Sequence, residues 1–147
     1  MPRNSVAYDD DFFAWTQEQA RLLREGELVE IDSENLAEEI ESMGRSVRRE
    51  LRNRLALLIM HLLKWQYQPV FQSRSWSGTI REQRAQVREL LDESPSLGAV
   101  ITDGLTSIYA SALRKAALDT GLAETTFPTL CPYTPDQILS EDFLPEG

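Results

Sequence analysis

Apolar residues recur along this chain at gaps of three and four, the period of one helical face, with little of the strict alternation of a half-buried strand. The longest series is Leu36, Ile40, Met43, Val47, Leu51, Leu55, Leu58 and Leu62. It predicts one buried stripe on a central helix spanning residues 32–68. Asp32 stands where its carboxylate can accept from the free amides of the first turn, and Glu34 sits near the positive end of the dipole. Ile31 and Leu36 flank that cap at hydrophobic-staple spacing. Pro69 disfavours helical backbone in the residue before it, so the helix should stop by Gln68. At about 1.5 Å per residue it would run roughly 50 Å. Gly44 costs about 1 kcal/mol relative to Ala in a helix interior; it marks a kink, or it is tolerated because the stripe keeps phase across it. From Leu55 to Leu63 every residue except His61 is apolar, which predicts a segment enclosed on most sides. It is far shorter than the ~20 residues needed to cross a bilayer, so a core helix is expected.

Three further helices follow from the same period. The first, near residues 10–25, places Phe12, Trp15, Gln19, Leu22 and Leu23 on one face. Asp9, Asp10 and Asp11 serve as cap and dipole partners, and Gly26 ends it. The short connector 27–31 implies antiparallel packing beside the start of the central helix. A helix near 76–93, capped by Ser75, buries Trp76, Ile80, Val87 and Leu90 and turns Arg81, Arg84 and Arg88 to another side. A helix near 95–120 has Ser94 as cap and Pro95 at its first position. It repeats Leu97, Ile101, Leu105, Ile108, Ala112 and Ala116, with Gly98 and Gly104 leaving room for a close neighbour and Gly121 ending it. The tail, 122–147, carries Pro128, Pro132, Pro135 and Pro145 and cannot be one long helix. Thr134, Pro135 and Gln137 have capping-box spacing, which predicts a short turn through Leu139. Phe127, Leu130, Tyr133, Ile138, Phe143 and Leu144 should anchor the tail on the body. The fold class expected is all-α: a compact helical bundle around one long helix, as a single domain.

Length and composition narrow this little. A chain of 147 residues with 41% hydrophobic content can bury a real core. The single Cys131 excludes an internal disulfide and suits a reducing cytoplasm. The opening MPRNSVAYDDD has no apolar run, so neither secretion nor membrane anchoring is expected. Charge is more informative. Residues 1–44 carry a net −9, residues 45–88 a net +8, and residues 89–147 a net −8. A basic centre between acidic ends suits a polyanionic ligand, unless the acidic segments fold back and neutralise it.

Several stretches resemble the domain-of-unknown-function family twenty-nine, a group of bacterial helical proteins. They are YDDDFFAW at Tyr8–Trp15, DSENLAEEIESMGR at Asp32–Arg45, RLALLIMHLLKWQYQP at Arg54–Pro69, SWSGTI at Ser75–Ile80, SPSL at Ser94–Leu97 and FPTLCPYTPDQIL at Phe127–Leu139. The resemblance covers almost the whole chain in order and implies an all-helical domain. It implies no reaction and carries over no catalytic residue.

Three constellations bear on chemistry. Arg54, His61 and Lys64 fall three to four positions apart along with Leu57, so one face of an apolar helix end could present a guanidinium, an imidazole and an ammonium to a phosphate or carboxylate. The simpler reading makes His61 a hydrogen-bonded core histidine and lets Lys64 reach solvent. Glu34, Glu38 and Glu41 share a face with Glu39 beside them, but a carboxylate metal site in a bundle also needs a Glu-x-x-His pair, and Leu58 lies three positions before the only histidine. Ion pairs or a solvated face are expected instead, with no metal and no cofactor. Arg45, Arg48, Arg49 and Arg52 form a basic stripe about 10 Å long; Trp65, Tyr67 and Trp76 lie near basic residues and could stack bases. No recognition-helix or RNA-binding signature accompanies them. Cys131 lacks a local base or second thiol. The expectation is a non-catalytic module that binds a protein partner or self-associates through the basic stripe or the loop around Trp76. The alternatives are a nucleic-acid-associated protein and an enzyme using Arg54, His61 and Lys64 on an anionic substrate.

Overall fold

The central helix, here α2, runs without a break from Ser33 to Tyr67 in a computed structural model that describes residues 7–146. Gly44 lies within it with open space where a side chain would go. Among the described residues there is no strand, so the chain is all-α. It divides into two compact units at Ser46, and α2 contributes its first part to one and its second part to the other.

The first unit holds α1 (Phe12–Arg24) and the start of α2. Asp11 caps α1 by accepting from the Ala14 amide at 3.1 Å. At the other end Gly26, with φ +73°, sends its amide to the Leu23 carbonyl, while the Glu27 amide reaches Leu22, a Schellman closure. Asp32 caps α2 with a weak 3.4 Å bond from the Asn35 amide and a firmer 2.8 Å bond from its side-chain nitrogen. The same carboxylate accepts from the Trp15 indole at 3.0 Å, and the Asp32 amide donates to Gln19 at 2.7 Å. Asn35 and Trp15 together hold the Asp32 carboxyl below its usual range. Further along α2, Glu39 accepts the Tyr8 hydroxyl. Partners thus descend from Glu39 to Asp32 as the chain rises from Tyr8 to Gln19, so α1 lies antiparallel to α2. Among the described residues of this unit only Trp15, Gln19 and Leu22 are buried, with the rings of Tyr8 and Phe12 packed on Trp15 at 4.9 and 5.7 Å.

The apolar stripe of α2 is therefore not one buried face. Ile40 and Met43 are each 61% exposed. Periodicity measures an apolar face, not the presence of something to cover it, and α1 ends before it could cover these positions.

The second unit contains the core. From α2 it takes Leu51, Leu55, Ala56, Leu58, Ile59, Leu62 and Leu63, every one buried. Ile80 and Val87 come from α3 (Arg74–Glu93), and Ile101, Ile108 and Ala112 from α4 (Gly98–Thr120). The tail adds Phe127, Tyr133 and, on α5 (Pro135–Leu139), Ile138. α3 begins two residues earlier than its sequence suggests, because Ser73 and not Ser75 accepts from the Trp76 amide, at 3.2 Å. Pro95 opens a turn of 3-10 helix, Pro95–Leu97, before α4 begins, and Ser94 makes no side-chain cap. Gly121, with φ +76°, closes α4 as expected. Thr134 and Gln137 form the expected capping box at 3.1 and 3.0 Å.

One basic residue lies on the wrong side of that early picture. Arg84 does not share an outer face with Arg81 and Arg88; it is buried between Ile80 and Val87. Its Nε donates to the Ile138 carbonyl at 2.8 Å and its Nη2 to Gln137 at 3.2 Å. The guanidinium thereby satisfies carbonyls at the end of α5 that have no helical partner. Arg88 continues the clasp, donating to the Leu139 carbonyl and pairing with Glu141. Gly104 earns its place differently: a Cβ there would stand 2.7 Å from the Arg52 guanidinium, which passes over it.

Two substitutions on α2 separate its halves. Leu58→Ala should lower unfolding free energy by about 2–5 kcal/mol, whereas Ile40→Ala should stay within about 0.5 kcal/mol, both read by urea titration. Arg84→Ala leaves one buried and one partly buried carbonyl short of a donor and should cost about 1.5–3 kcal/mol in the same assay, against a negligible change for Arg81→Ala.

Candidate functional site

The residues that sequence spacing grouped are placed in different surroundings. Arg54 points to Glu50, one turn back on α2, at 3.0 Å and to Gln83 on α3 at 3.2 Å. His61 is buried, and its Nδ1 lies 3.0 Å from the Leu57 carbonyl. A carbonyl only accepts, so the proton sits on Nδ1 and Nε2 carries the lone pair. Burial pushes the imidazole below its usual pKa, the Lys64 ammonium pushes the same way, and the Leu57 carbonyl and Asp119 oppose them.

Lys64 is only 7% exposed and does not reach freely into solvent. Its ammonium pairs with Asp119 at the end of α4 and lies 4.5 Å above the ring centre of Trp76 on α3. Attraction to the π face and to the carboxylate offsets the desolvation of the amine. Three elements, α2, α3 and α4, thus meet around one buried cation. Sequence reasoning found Lys64 and Trp76 but not Asp119, whose only signal was an acid in the last turn of its helix.

The basic stripe is divided in the same way. Arg45, in the first unit, pairs with Glu38 at 2.9 Å and Glu41 at 3.8 Å on its own helix. In the second unit Arg52 donates to Ser107 on α4 at 2.6 Å. Arg48 and Arg49 are exposed and have no partner among the described residues. Glu34 is also exposed, and among the described residues no group of three or more His, Cys, Asp or Glu is placed to hold a metal ion. The aromatic residues considered for base stacking are engaged within the protein: Trp76 under Lys64, Tyr67 edge-on to Phe127 at 5.2 Å, and Trp65 against the core.

Three hydroxyl and thiol groups in the second unit are turned inward. Tyr133 donates to Gln66 at 2.7 Å, and Tyr109 donates to the Pro128 carbonyl at 2.6 Å. Burial pushes the Tyr109 phenol up to about 12 and raises Tyr133 further. The Cys131 thiol donates to the Tyr133 carbonyl at 3.3 Å, and burial raises its pKa as well, which keeps it a thiol and a poor nucleophile. Each of these contacts ties the tail to a helix or to itself. What the arrangement offers chemically is a neutral imidazole and a paired ammonium in a dry setting, with no nucleophile beside them.

The histidine gives a pH signature. Its folded pKa lies below the unfolded value of about 6.5, so at lower pH the unfolded chain takes up a proton that the folded chain refuses. Stability should fall as pH drops through about 6.5 and stop falling from this cause once the folded pKa is passed. Urea midpoints from pH 8 to 5.5 should show that loss in the native chain and a flatter profile in His61→Leu.

No curated protein and no solved structure matches the chain. A family model described as a domain of unknown function matches residues 7–144, nearly its whole length, and the chain belongs to that family, DUF29.

Proposed function

We propose that this protein is a cytoplasmic, non-catalytic interaction module that pairs with a second copy of itself through the first part of α2. The observation that supports this reading is the exposed apolar pair Ile40 and Met43, one turn apart on a helix face and each 61% exposed among the described residues. Scattered apolar residues on a surface need no explanation, but a helical face in register with a core stripe is a seam awaiting a partner.

The charge order along α2 selects the orientation. Glu34, Glu38, Glu39 and Glu41 precede the apolar pair's midpoint and Arg45 follows it. A parallel pair would set acids against acids. An antiparallel pair with its twofold between Glu41 and Ser42 sets Ile40 against Met43 of the other copy, and Glu38 against Arg45. Such a contact is isologous, each copy giving the same surface. The internal Arg45–Glu38 and Arg45–Glu41 pairs are exposed and worth about 0–1 kcal/mol each, so exchanging them for partners in the other copy costs little. A patch this small supports weak, concentration-dependent association.

Nucleic-acid association has one observation in its favour, the unpartnered Arg48 and Arg49. The engagement of Arg45 and Arg52 within the chain weighs against it, as does the acidic total. Catalysis through Arg54, His61 and Lys64 has less support, since each is committed to a different neighbour.

Sedimentation velocity across a hundredfold concentration range should show a monomer–dimer equilibrium. Ile40→Glu and Met43→Glu should each remove the dimer without lowering the melting temperature. A chain carrying Glu38→Arg mixed with one carrying Arg45→Glu should form mixed dimers in preference to either alone. A chain monomeric at every concentration, or a dimer indifferent to these changes, would overturn the reading. Binding to DNA or RNA that fades steeply with salt would favour the nucleic-acid alternative.

A further inference from the structure

A cleft of about 650 Å³ opens in the second unit, between α4 and the segment 124–131. That is within the roughly 300–1,000 Å³ of sites that take small organic molecules. Its walls are held in place: Tyr109 is tied to the Pro128 carbonyl, and the Cys131 thiol to the Tyr133 carbonyl. Those groups have spent their donors inside the protein. The apolar part is made by Leu105, Leu113 and the buried Phe127, with Leu130, 72% exposed, at its edge.

Two charges of opposite sign line the same cleft. Arg114 on α4 and Glu124 beyond it have no hydrogen bond or ion pair among the described residues, and they do not pair with each other. Surface charges of opposite sign this near in a fold commonly meet; here a gap wider than an ion pair is left between them. Thr106, Thr125 and Thr129 add hydroxyls that make no side-chain hydrogen bond among the described residues.

We infer that this cleft binds a small zwitterion with an apolar body, such as a short hydrophobic peptide with free termini. Its carboxylate is held by Arg114, its ammonium by Glu124, and its side chains lie against Leu105, Leu113 and Phe127. A lipid-like anion would leave Glu124 facing it uncompensated, and an apolar amine would leave Arg114 so. A ligand carrying both charges satisfies both ends, and one that lacks either charge loses the contact at that end.

The probe is leucyl-leucine, titrated calorimetrically into the full-length protein, with its N-acetylated form, its C-terminal amide and glycyl-glycine as comparisons. Leucyl-leucine should bind at least tenfold more tightly than each of the three. Arg114→Gln should weaken leucyl-leucine and abolish the preference for the free carboxylate; Glu124→Gln should abolish the preference for the free amine. Both positions are exposed, so neither change should shift the melting temperature. No heat of binding at millimolar dipeptide, or capped dipeptides binding as well as the free one, would overturn the assignment. Self-association is unaffected by either variant, so this outcome and that of the dimer tests are separable.

Discussion

Removing the Leu55–Lys64 stretch of α2 from water is the constraint on which the second unit depends. A helix apolar on nearly every side has to be covered on nearly every side, and one partner helix cannot do that. α3 and α4 cover it with Ile80, Val87, Ile101 and Ile108, and the tail closes the remainder with Phe127, Tyr133 and Ile138. Prolines keep the described tail from forming a helix longer than α5, yet it is fastened by side chains from the body: Tyr109 to Pro128, Gln66 to Tyr133, Arg84 to the end of α5. Covering the helix also traps three polar groups. His61 turns to a carbonyl of its own helix, Lys64 to Asp119 and Trp76, and Arg84 to the carbonyls of α5. Each is satisfied, and among the described residues no buried side-chain nitrogen or oxygen lacks a partner.

The first part of α2 obeys a different balance. It is the same helix by hydrogen bonding, with the same apolar period, but among the described residues its unit supplies α1 and one 3-10 turn, Leu28–Glu30, and the side-chain contacts from α1 fall on Asp32 and Glu39. Trp15 and Leu22 find cover there; Ile40 and Met43 do not. An apolar face left in water by its own fold is where association contributes free energy, and the adjacent acids and arginines give that association a direction.

Much of the architecture was legible in the residues. The bounds of α2, the Gly26 and Gly121 closures, the Thr134 capping box and the dry second part of α2 follow from local rules that act over one or two turns. What was not legible depends on contacts far apart in sequence. Arg84 was assigned by its charge, although its spacing from Ile80 and Val87 placed it on the buried side; the carbonyls that welcome it come from α5, more than fifty residues later. Lys64 was expected to reach solvent because Asp119 could not be paired with it from sequence. Arg54, His61 and Lys64 take different hydrogen-bond partners for a related reason: positions three and four apart share a helix face, but what stands opposite each is set by parts of the chain far away in sequence. The cleft beside α4 left no motif at all, since it is a gap between a helix and a loop and neither is distinctive alone.

The central claim is that one unbroken helix has a dry part and an uncovered part. Amide hydrogen exchange along α2, followed residue by residue, tests it most directly. Amides from Leu51 to Lys64 should exchange only through global unfolding, with protection equal to the whole free energy of the fold, while those from Leu36 to Met43 should exchange faster and slow down as protein concentration rises. Equal and fast exchange along both stretches, or slow exchange of the first stretch in dilute monomer, would contradict the account.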